Sequence, residues 1–163
     1  MPYVLDRWNP SRHGSATNGK RMRLHETRNI DRPSPEVFDY VADFSNIESW
    51  DPGVASSEKV SDGPVGVGTK FDLVARFGAS EIPMTYEVTR YEPGHRVTLV
   101  GRGGSLEAVD DIVFEPVGGG TLVDYTAAIT FHGWVRFVAP LMSPMMKRVG
   151  GRALDGLVSV MQG

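Results

Sequence analysis

Asp110 is the residue of this chain best placed for chemistry, because the pattern around it turns a carboxyl group toward apolar neighbours. Ile112 and Phe114 define the inward face of a strand predicted over Leu106–Glu115. Side chains alternate between the two faces of a strand, so Asp110 shares their inward face. A buried carboxyl group has a raised pKa and can act as a general acid or base on an enolisable ligand.

Two tyrosines could supply hydroxyl groups to that carboxyl. Tyr125 shares the apolar parity of Val123 on one predicted strand, and Tyr86 shares that of Met84 on another. A buried phenol can hydrogen-bond a carboxyl group and can itself carry a proton. Asp110 and Tyr125 are therefore the predicted catalytic pair, with Tyr86 as a further candidate partner.

Simpler explanations stay open for these residues. A β-bulge would turn Asp110 to solvent, and a register slip of one residue would put Asp111 in the inward place. An inward Asp110 could also only complete a buried hydrogen-bond network. The tyrosines could be sheet aromatics whose hydroxyl groups reach the rim.

The sequence lacks the residues that thiol, metal, serine-hydrolase and phosphate-binding-loop chemistry require. The chain has no cysteine, which excludes disulfides, thiolate nucleophiles and thiolate-ligated metals. Its histidines show no ligand spacing, so we predict neither a metal site nor a cofactor. There is no Gly-x-Ser-x-Gly motif, and the loop 63–68 lacks the Lys and Ser or Thr of a phosphate-binding loop.

Length and charge narrow the class of protein. At 163 residues the chain can form one domain with its own core. The net charge is -3, and no basic run is interleaved with aromatics, so nucleic acid is not an expected partner. We find no signal peptide and no apolar window of membrane-spanning length, and we expect a soluble cytoplasmic protein. Nothing in the sequence sets an oligomeric state.

The elements that must position these residues fall into two parts. Residues 1–20, polar and interrupted by Pro and Gly, predict an extended or mobile N-terminal arm, and residues 21–163 predict a single domain. A first strand over Met22–Ile30 precedes a helix with Ser34 as its N-cap and Pro35 in its first turn. A second short helix ends near Trp50.

Six further strands follow, separated by turns too short for crossover helices, which predicts an antiparallel meander. They are predicted at Val54–Val60, Thr69–Phe77, Ile82–Tyr91, Arg96–Arg102, Leu106–Glu115 and Thr121–Phe131. The tail has helical spacing, and its proline pattern predicts a long helix from about Pro144 to Met161.

Several motifs in this order resemble those of one superfamily. They are Pro-Ser-Pro-Glu-Val-Phe at 33–38, the segment 47–50, Val-Gly-Val-Gly-Thr at 65–69, Phe-Glu-Pro at 114–116 and Gly-Gly-Thr at 119–121. The chain resembles the SRPBCC superfamily, also called START-like or birch-pollen-allergen-like, and within it the polyketide cyclase/dehydrase and lipid-transport branch. The resemblance runs from about residue 22 to 162, and its motifs identify the fold better than the chemistry.

The resemblance implies an α+β helix-grip fold. In that fold a curved seven-stranded antiparallel sheet wraps around a long C-terminal helix, with two short helices after the first strand, and an apolar cavity lies between sheet and helix. Members bind lipids, sterols, polyketides or quinones, and a minority catalyse reactions on them. Combined with strand parity, this predicts the following lining residues: Trp50, Phe71, Leu73, Phe77, Met84, Tyr86, Leu99, Ile112, Met142 and Met145.

Three functions are compatible with such a cavity. The leading hypothesis is binding of a hydrophobic small molecule, such as a lipid, polyketide, isoprenoid or quinone, for transport or sequestration. The first alternative is a cofactor-independent cyclase or dehydratase that uses Asp110 with Tyr125 or Tyr86 as proton carriers. The second is a protein-interaction module, which a large exposed apolar patch beside a closed cavity would favour.

Overall fold

The computed structural model describes residues 19–163, apart from the side chains of residues 142, 143 and 145–147. The predicted arm at 1–20 lies almost wholly outside the described residues, as do the side chains of Met142 and Met145. The strands are β1 (Lys20–Ile30), β2 (Val54–Lys59), β3 (Lys70–Phe77), β4 (Ser80–Glu92), β5 (Arg96–Gly103), β6 (Leu106–Val117) and β7 (Gly120–Phe131). The helices are α1 (Ser34–Ala42) and α2 (Ala139–Gln162), with 3₁₀ helices at Phe44–Ser49 and Gly133–Phe137.

The seven strands form one antiparallel sheet in the order β1-β7-β6-β5-β4-β3-β2. Strands β2 to β7 are therefore a meander, and β1 pairs with β7 from Lys20 opposite Phe131 to Ile30 opposite Thr121. The predicted sheet and the predicted fold class, a helix-grip α+β fold, are confirmed. Within the described range, no helix is long and apolar enough to cross a lipid bilayer.

The hairpin between β6 and β7 shows why the chain turns back so tightly. Its two-residue loop consists of Gly118 and Gly119, with φ angles of 57° and 89°. A two-residue turn that matches the twist of its strands requires positive φ at both positions, which glycine adopts without steric cost. The loop holds β6 and β7 in the register that carries the candidate site.

Helix α1 buries one apolar face, and its N-cap lies one residue earlier than predicted. Val37, Phe38 and Val41 are almost fully buried, in keeping with the apolar spacing. Pro33, not Ser34, is the N-cap residue, and no side chain caps the helix. The Ser34 hydroxyl instead donates to the carbonyl oxygen of Gly94 at 2.7 Å, which ties the helix to the β4–β5 turn.

Helix α2 begins earlier than the prolines predicted. It starts at Ala139 with a proline in its first turn, and Pro144 lies inside the helix. A proline in the first turn removes no intrahelical hydrogen bond, so Pro140 fits there and the helix can precede Pro144. The buried side of α2 faces the sheet, and Asp155 accepts a 2.8 Å bond from Arg28 of β1.

Side chains alternate between the two faces of the sheet without interruption in the strands that carry Asp110 and Tyr125. The register shifts occur in β2–β3 between Val54 and Ser56 and in β4–β5 between Val88 and Arg90. The β5–β6 and β6–β7 pairings run without a shift. Because no bulge interrupts β6, the inward orientation predicted for Asp110 is confirmed, and this side chain is 4% exposed.

Candidate functional site

A cavity of about 110 Å³ lies between the inner face of the sheet and α2. Its walls are mostly apolar, and they come from β1, the first 3₁₀ helix, β2, β3, β6, β7 and α2: Leu24, Ile47, Val54, Leu73, Ala75, Phe77, Ala108, Ala127, Ile129, Val149 and Ala153. Gly53 and Gly150 complete the wall. The polar side chains that border it are Asp51, Arg76, Tyr86, Asp110 and Tyr125.

Asp110 and Tyr125 form a buried hydrogen-bonded pair in this wall. The Tyr125 hydroxyl donates to Oδ1 of Asp110 at 2.7 Å. Asp110 stands opposite Ala127 in the β6–β7 register, and Tyr125 stands opposite Ile112, so the pair is diagonal on one face of the sheet. A tyrosine side chain is long enough to span that diagonal spacing.

Burial changes the acidity of the Asp110 carboxyl. Its pKa is raised from the ordinary value of 3.8 to about 6, chiefly by loss of hydration and in smaller part by the negative charge of Asp51. The hydrogen bond from the Tyr125 hydroxyl opposes that rise, and so, to a smaller extent, does the Tyr86 hydroxyl. A carboxyl group with this pKa can both take up and release a proton near neutral pH.

Asp51 is a second cavity carboxyl group, which the sequence did not predict. It lies in the loop between the first 3₁₀ helix and β2, and its Oδ1 accepts a 2.7 Å bond from the Gly53 N–H. Burial raises its pKa to about 6, and the Gly53 bond opposes the rise. The sequence Asp-Pro-Gly directly follows the predicted end of the second short helix near Trp50, and an Asp that bonds the backbone two residues on is a common turn signal that could have indicated this geometry.

Tyr86 reaches the cavity from β4. A glycine makes room for its ring, because a Cβ atom on Gly101 would lie 2.4 Å from the phenol carbon Cζ. The ring also packs against Phe44 of the first 3₁₀ helix, with centroids 5.4 Å apart. Burial and the negative charge of Asp110 raise the pKa of Tyr86 well above 10, as they do for Tyr125, so both hydroxyl groups keep their protons.

Half of the predicted lining residues lie elsewhere in the structure. Leu73, Phe77 and Tyr86 border the cavity. Five others are buried but do not border it: Trp50, Phe71, Met84, Leu99 and Ile112. Parity places a residue on the inner face, but the helices cover much of that face; Phe71, for example, packs edge-on against Phe44 at 6.2 Å.

Trp50 is 3% exposed, and its indole nitrogen has no hydrogen-bond partner among the described residues. Its backbone carbonyl oxygen lies against Gly156 of α2, where a Cβ atom would come within 2.1 Å. The residue therefore joins the loop after the first 3₁₀ helix to the long helix.

The neighbour of Asp110 has a different role. Asp111 points to the outer face, where Arg96 donates to both of its carboxylate oxygens at 2.8 and 2.7 Å. The Thr98 hydroxyl donates to Oδ1 at 2.8 Å. The slipped register that would have put Asp111 into the cavity is therefore excluded.

The arrangement can bind and protonate, or deprotonate, a polar group in an apolar surrounding. Two carboxyl groups with a pKa of about 6 and two phenols surround a small space. Across the described part of the chain, no three or more His, Asp or Glu side chains are grouped so as to hold a metal ion.

Comparison with known structures gives the same fold. The chain is similar to the Zhui aromatase/cyclase from Streptomyces sp. R1128, with 11% identity, a TM-score of 0.71, and coverage of 87% of this chain and 94% of that one. It is similar to a START superfamily protein from Mycobacterium smegmatis, with 13% identity, a TM-score of 0.69 and coverage of 86% and 97%. It is also similar to TTHA0849 from Thermus thermophilus, with 20% identity, a TM-score of 0.70 and coverage of 86% and 97%.

No curated protein sequence matches the chain. The sequence model of one family, described as polyketide cyclase/dehydrase and lipid transport, matches residues 21–162. That range contains every element of the sheet except the first residue of β1, and it contains both α-helices. Membership of this family supports, in general terms, a function in hydrophobic-ligand binding or in cyclisation. The chain therefore belongs to the polyketide cyclase/dehydrase and lipid-transport family of the START-like (SRPBCC) superfamily.

Proposed function

We propose that this protein binds a hydrophobic small molecule whose polar end, a carbonyl or hydroxyl group, lies against Asp110 and Tyr125. The observation that carries the proposal is the buried Asp110–Tyr125 pair in an otherwise apolar wall. A buried polar pair that faces an apolar cavity selects ligands able to satisfy it, because an unmatched polar group is costly to bury.

The size of the cavity sets the mode of binding. Ligand pockets usually measure roughly 300–1,000 Å³, and this cavity has about 110 Å³. The space fits the polar end of a ligand or a single ring. The apolar remainder of a longer polyketide, isoprenoid or lipid then extends beyond the cavity or displaces the side chains at its wall.

A second candidate function, proton transfer as in a cyclase or dehydratase, is favoured by the pKa of Asp110. At neutral pH this carboxyl is largely ionised and can take the proton from a carbon between two carbonyl groups. The C–H bond breaks, an O–H bond forms on Asp110, and the electron pair moves to a carbonyl oxygen. The Tyr125 or Tyr86 hydroxyl can donate a hydrogen bond to that enolate oxygen.

Binding is tested with a hydrophobic 1,3-diketone, dibenzoylmethane, titrated into the protein and followed by its absorbance. We expect saturable binding that weakens about tenfold or more in Asp110→Asn and Tyr125→Phe, because each variant alters the polar pair. Asp111→Asn is the matched control, since that carboxyl lies on the outer face. Native mass spectrometry with organic extraction identifies a ligand that co-purifies.

Equal affinity in wild type, Asp110→Asn and Asp111→Asn would contradict the binding mode. The catalytic candidate is tested separately, by NMR exchange of the diketone α-proton in D₂O. Loss of catalysed exchange in Asp110→Asn at a diketone concentration that saturates this variant would support proton transfer. Binding without any catalysed exchange would leave the protein as a binder and overturn the catalytic candidate.

A further inference from the structure

Three large apolar side chains protrude from the segment 134–141, which comprises most of the second 3₁₀ helix and the first turn of α2. Trp134, Phe137 and Leu141 are 73%, 70% and 82% exposed, more than any other large apolar side chain in the described part of the chain. Helical hydrogen bonds run through the segment, from the Val138 N–H to Val135 and from the Leu141 N–H to Val138. Spacings of three and four residues place the three side chains on one side of such a path, and we call them the docking face.

Packing within the described part of the chain does not explain why these side chains are apolar. The same segment buries Ala139 completely and Val135 in part, so its inner side is already supplied with apolar groups. Single exposed apolar residues are ordinary, but an exposed indole, phenyl ring and leucine on one short segment form a patch of the kind that marks an interaction site.

Charge around the docking face identifies the kind of partner. Residues 125–154 contain none of the 20 Asp and Glu residues of the chain, whereas the whole chain has a net charge of -3. The same range contains Arg136, Lys147, Arg148 and Arg152. The Arg136 guanidinium lies 4.7 Å from the centroid of the Phe137 ring, and Arg148 and Arg152 are exposed. The patch is therefore apolar at its tip and basic along the helix behind it.

We propose that the docking face inserts into the interfacial layer of a lipid bilayer that contains anionic lipids. Indole and phenyl rings are favoured at the boundary between head groups and acyl chains, and Leu141 adds purely apolar area. The arginines keep their charged groups at the level of anionic head groups, which attract basic segments. This inference does not depend on which ligand the cavity binds.

Docking in this way brings the cavity close to the lipid surface. Leu141 of the docking face and Val149 of the cavity wall lie on the same helix, about 12 Å apart at the rise of an α-helix. The helix that borders the candidate site is therefore the helix that contacts lipid.

The test is vesicle flotation of the full chain, with vesicles of phosphatidylcholine alone and of phosphatidylcholine mixed with phosphatidylglycerol. We expect the protein to float with the mixed vesicles and the triple variant W134A/F137A/L141A to lose about tenfold or more in apparent affinity. Val67→Ala and Val117→Ala, which change exposed valines in other parts of the surface, are the matched controls and should float like the wild type.

A second variant tests the charge separately. R148E/R152E should lose binding to the mixed vesicles, and added salt should weaken the wild type in the same way. Circular dichroism and thermal unfolding establish that each variant is folded. Absence of flotation by the wild type, or equal flotation by the triple variant and the valine controls, would overturn the proposal. Self-association without vesicles that the triple variant abolishes would assign the docking face to a second copy of the chain instead.

Discussion

Asp51 and Asp110 border the same cavity, and the negative charge of Asp51 raises the pKa of Asp110. One carboxyl group comes from a loop and the other from the middle of a strand, and burial raises the pKa of both to about 6. Such a pair holds protons near neutral pH more tightly than free carboxyl groups do. The protonation of Asp110 therefore depends on its burial, on the charge of Asp51 and on the hydrogen bond from Tyr125.

The stability of the protein should depend on the protonation of Asp110. Its pKa is about 6 in the folded chain, whereas an unfolded chain has the ordinary value of 3.8. Between these two pH values the folded state therefore binds a proton that the unfolded state has released. The free energy of unfolding therefore falls as pH rises from about 4 to about 6, by up to about 3 kcal/mol for this group. Asp110→Asn should lack this part of the fall.

Urea unfolding at a series of pH values measures this dependence. Asp111→Asn is the control, because it changes the neighbouring residue on the outer face and leaves the cavity carboxyl in place. If Asp110→Asn and the wild type lost stability equally between about pH 4 and about pH 6, the buried carboxyl would not be the source of the effect.

Asp51→Asn should lower the pKa of Asp110. The substitution removes a negative charge that disfavours ionisation of the second carboxyl group, while the amide oxygen can still accept the Gly53 bond. Carboxyl-carbon NMR titration of Asp110 measures the change. Glu48→Gln, which changes an exposed residue of the preceding 3₁₀ helix, should leave the titration unchanged, and an unchanged titration in Asp51→Asn would mean that the two carboxyl groups are not coupled.

Tyr125→Phe should raise the pKa of Asp110 further. The Tyr125 hydroxyl donates to the carboxylate, which favours the ionised form, and the variant removes this donor. We expect a loss of about 1 kcal/mol in the free energy of unfolding, typical of one hydrogen bond. The same NMR titration and urea unfolding check both effects, and a lowered pKa of Asp110 in this variant would contradict the assigned role of the bond.

The parts of the site that could be predicted are those that depend on strand alternation. Asp110 and Tyr125 lie on strands whose pairing has no register shift, so counting by two placed both side chains correctly. Asp51 lies in a loop, where no period relates sequence to direction. Phe71 shows the other limit, because alternation gives the face of a residue but not whether a helix covers it.

Helix α2 contacts the backbone at Trp50 through Gly156. A Cβ atom at Gly156 would lie 2.1 Å from the carbonyl oxygen of Trp50, so α2 and the loop approach each other through a glycine. Gly156→Ala forces these backbones apart and should destabilise the protein by about 1–3 kcal/mol, although alanine is otherwise the better helix former. Gly151→Ala, on the same helix with no atom nearer than 3.8 Å, should instead be neutral or stabilising by up to about 1 kcal/mol. Urea unfolding measures the free energy of unfolding of both variants. If the helix packs against the Trp50 carbonyl, Gly156→Ala lowers this free energy and Gly151→Ala does not. Equal changes in the two variants would contradict that contact.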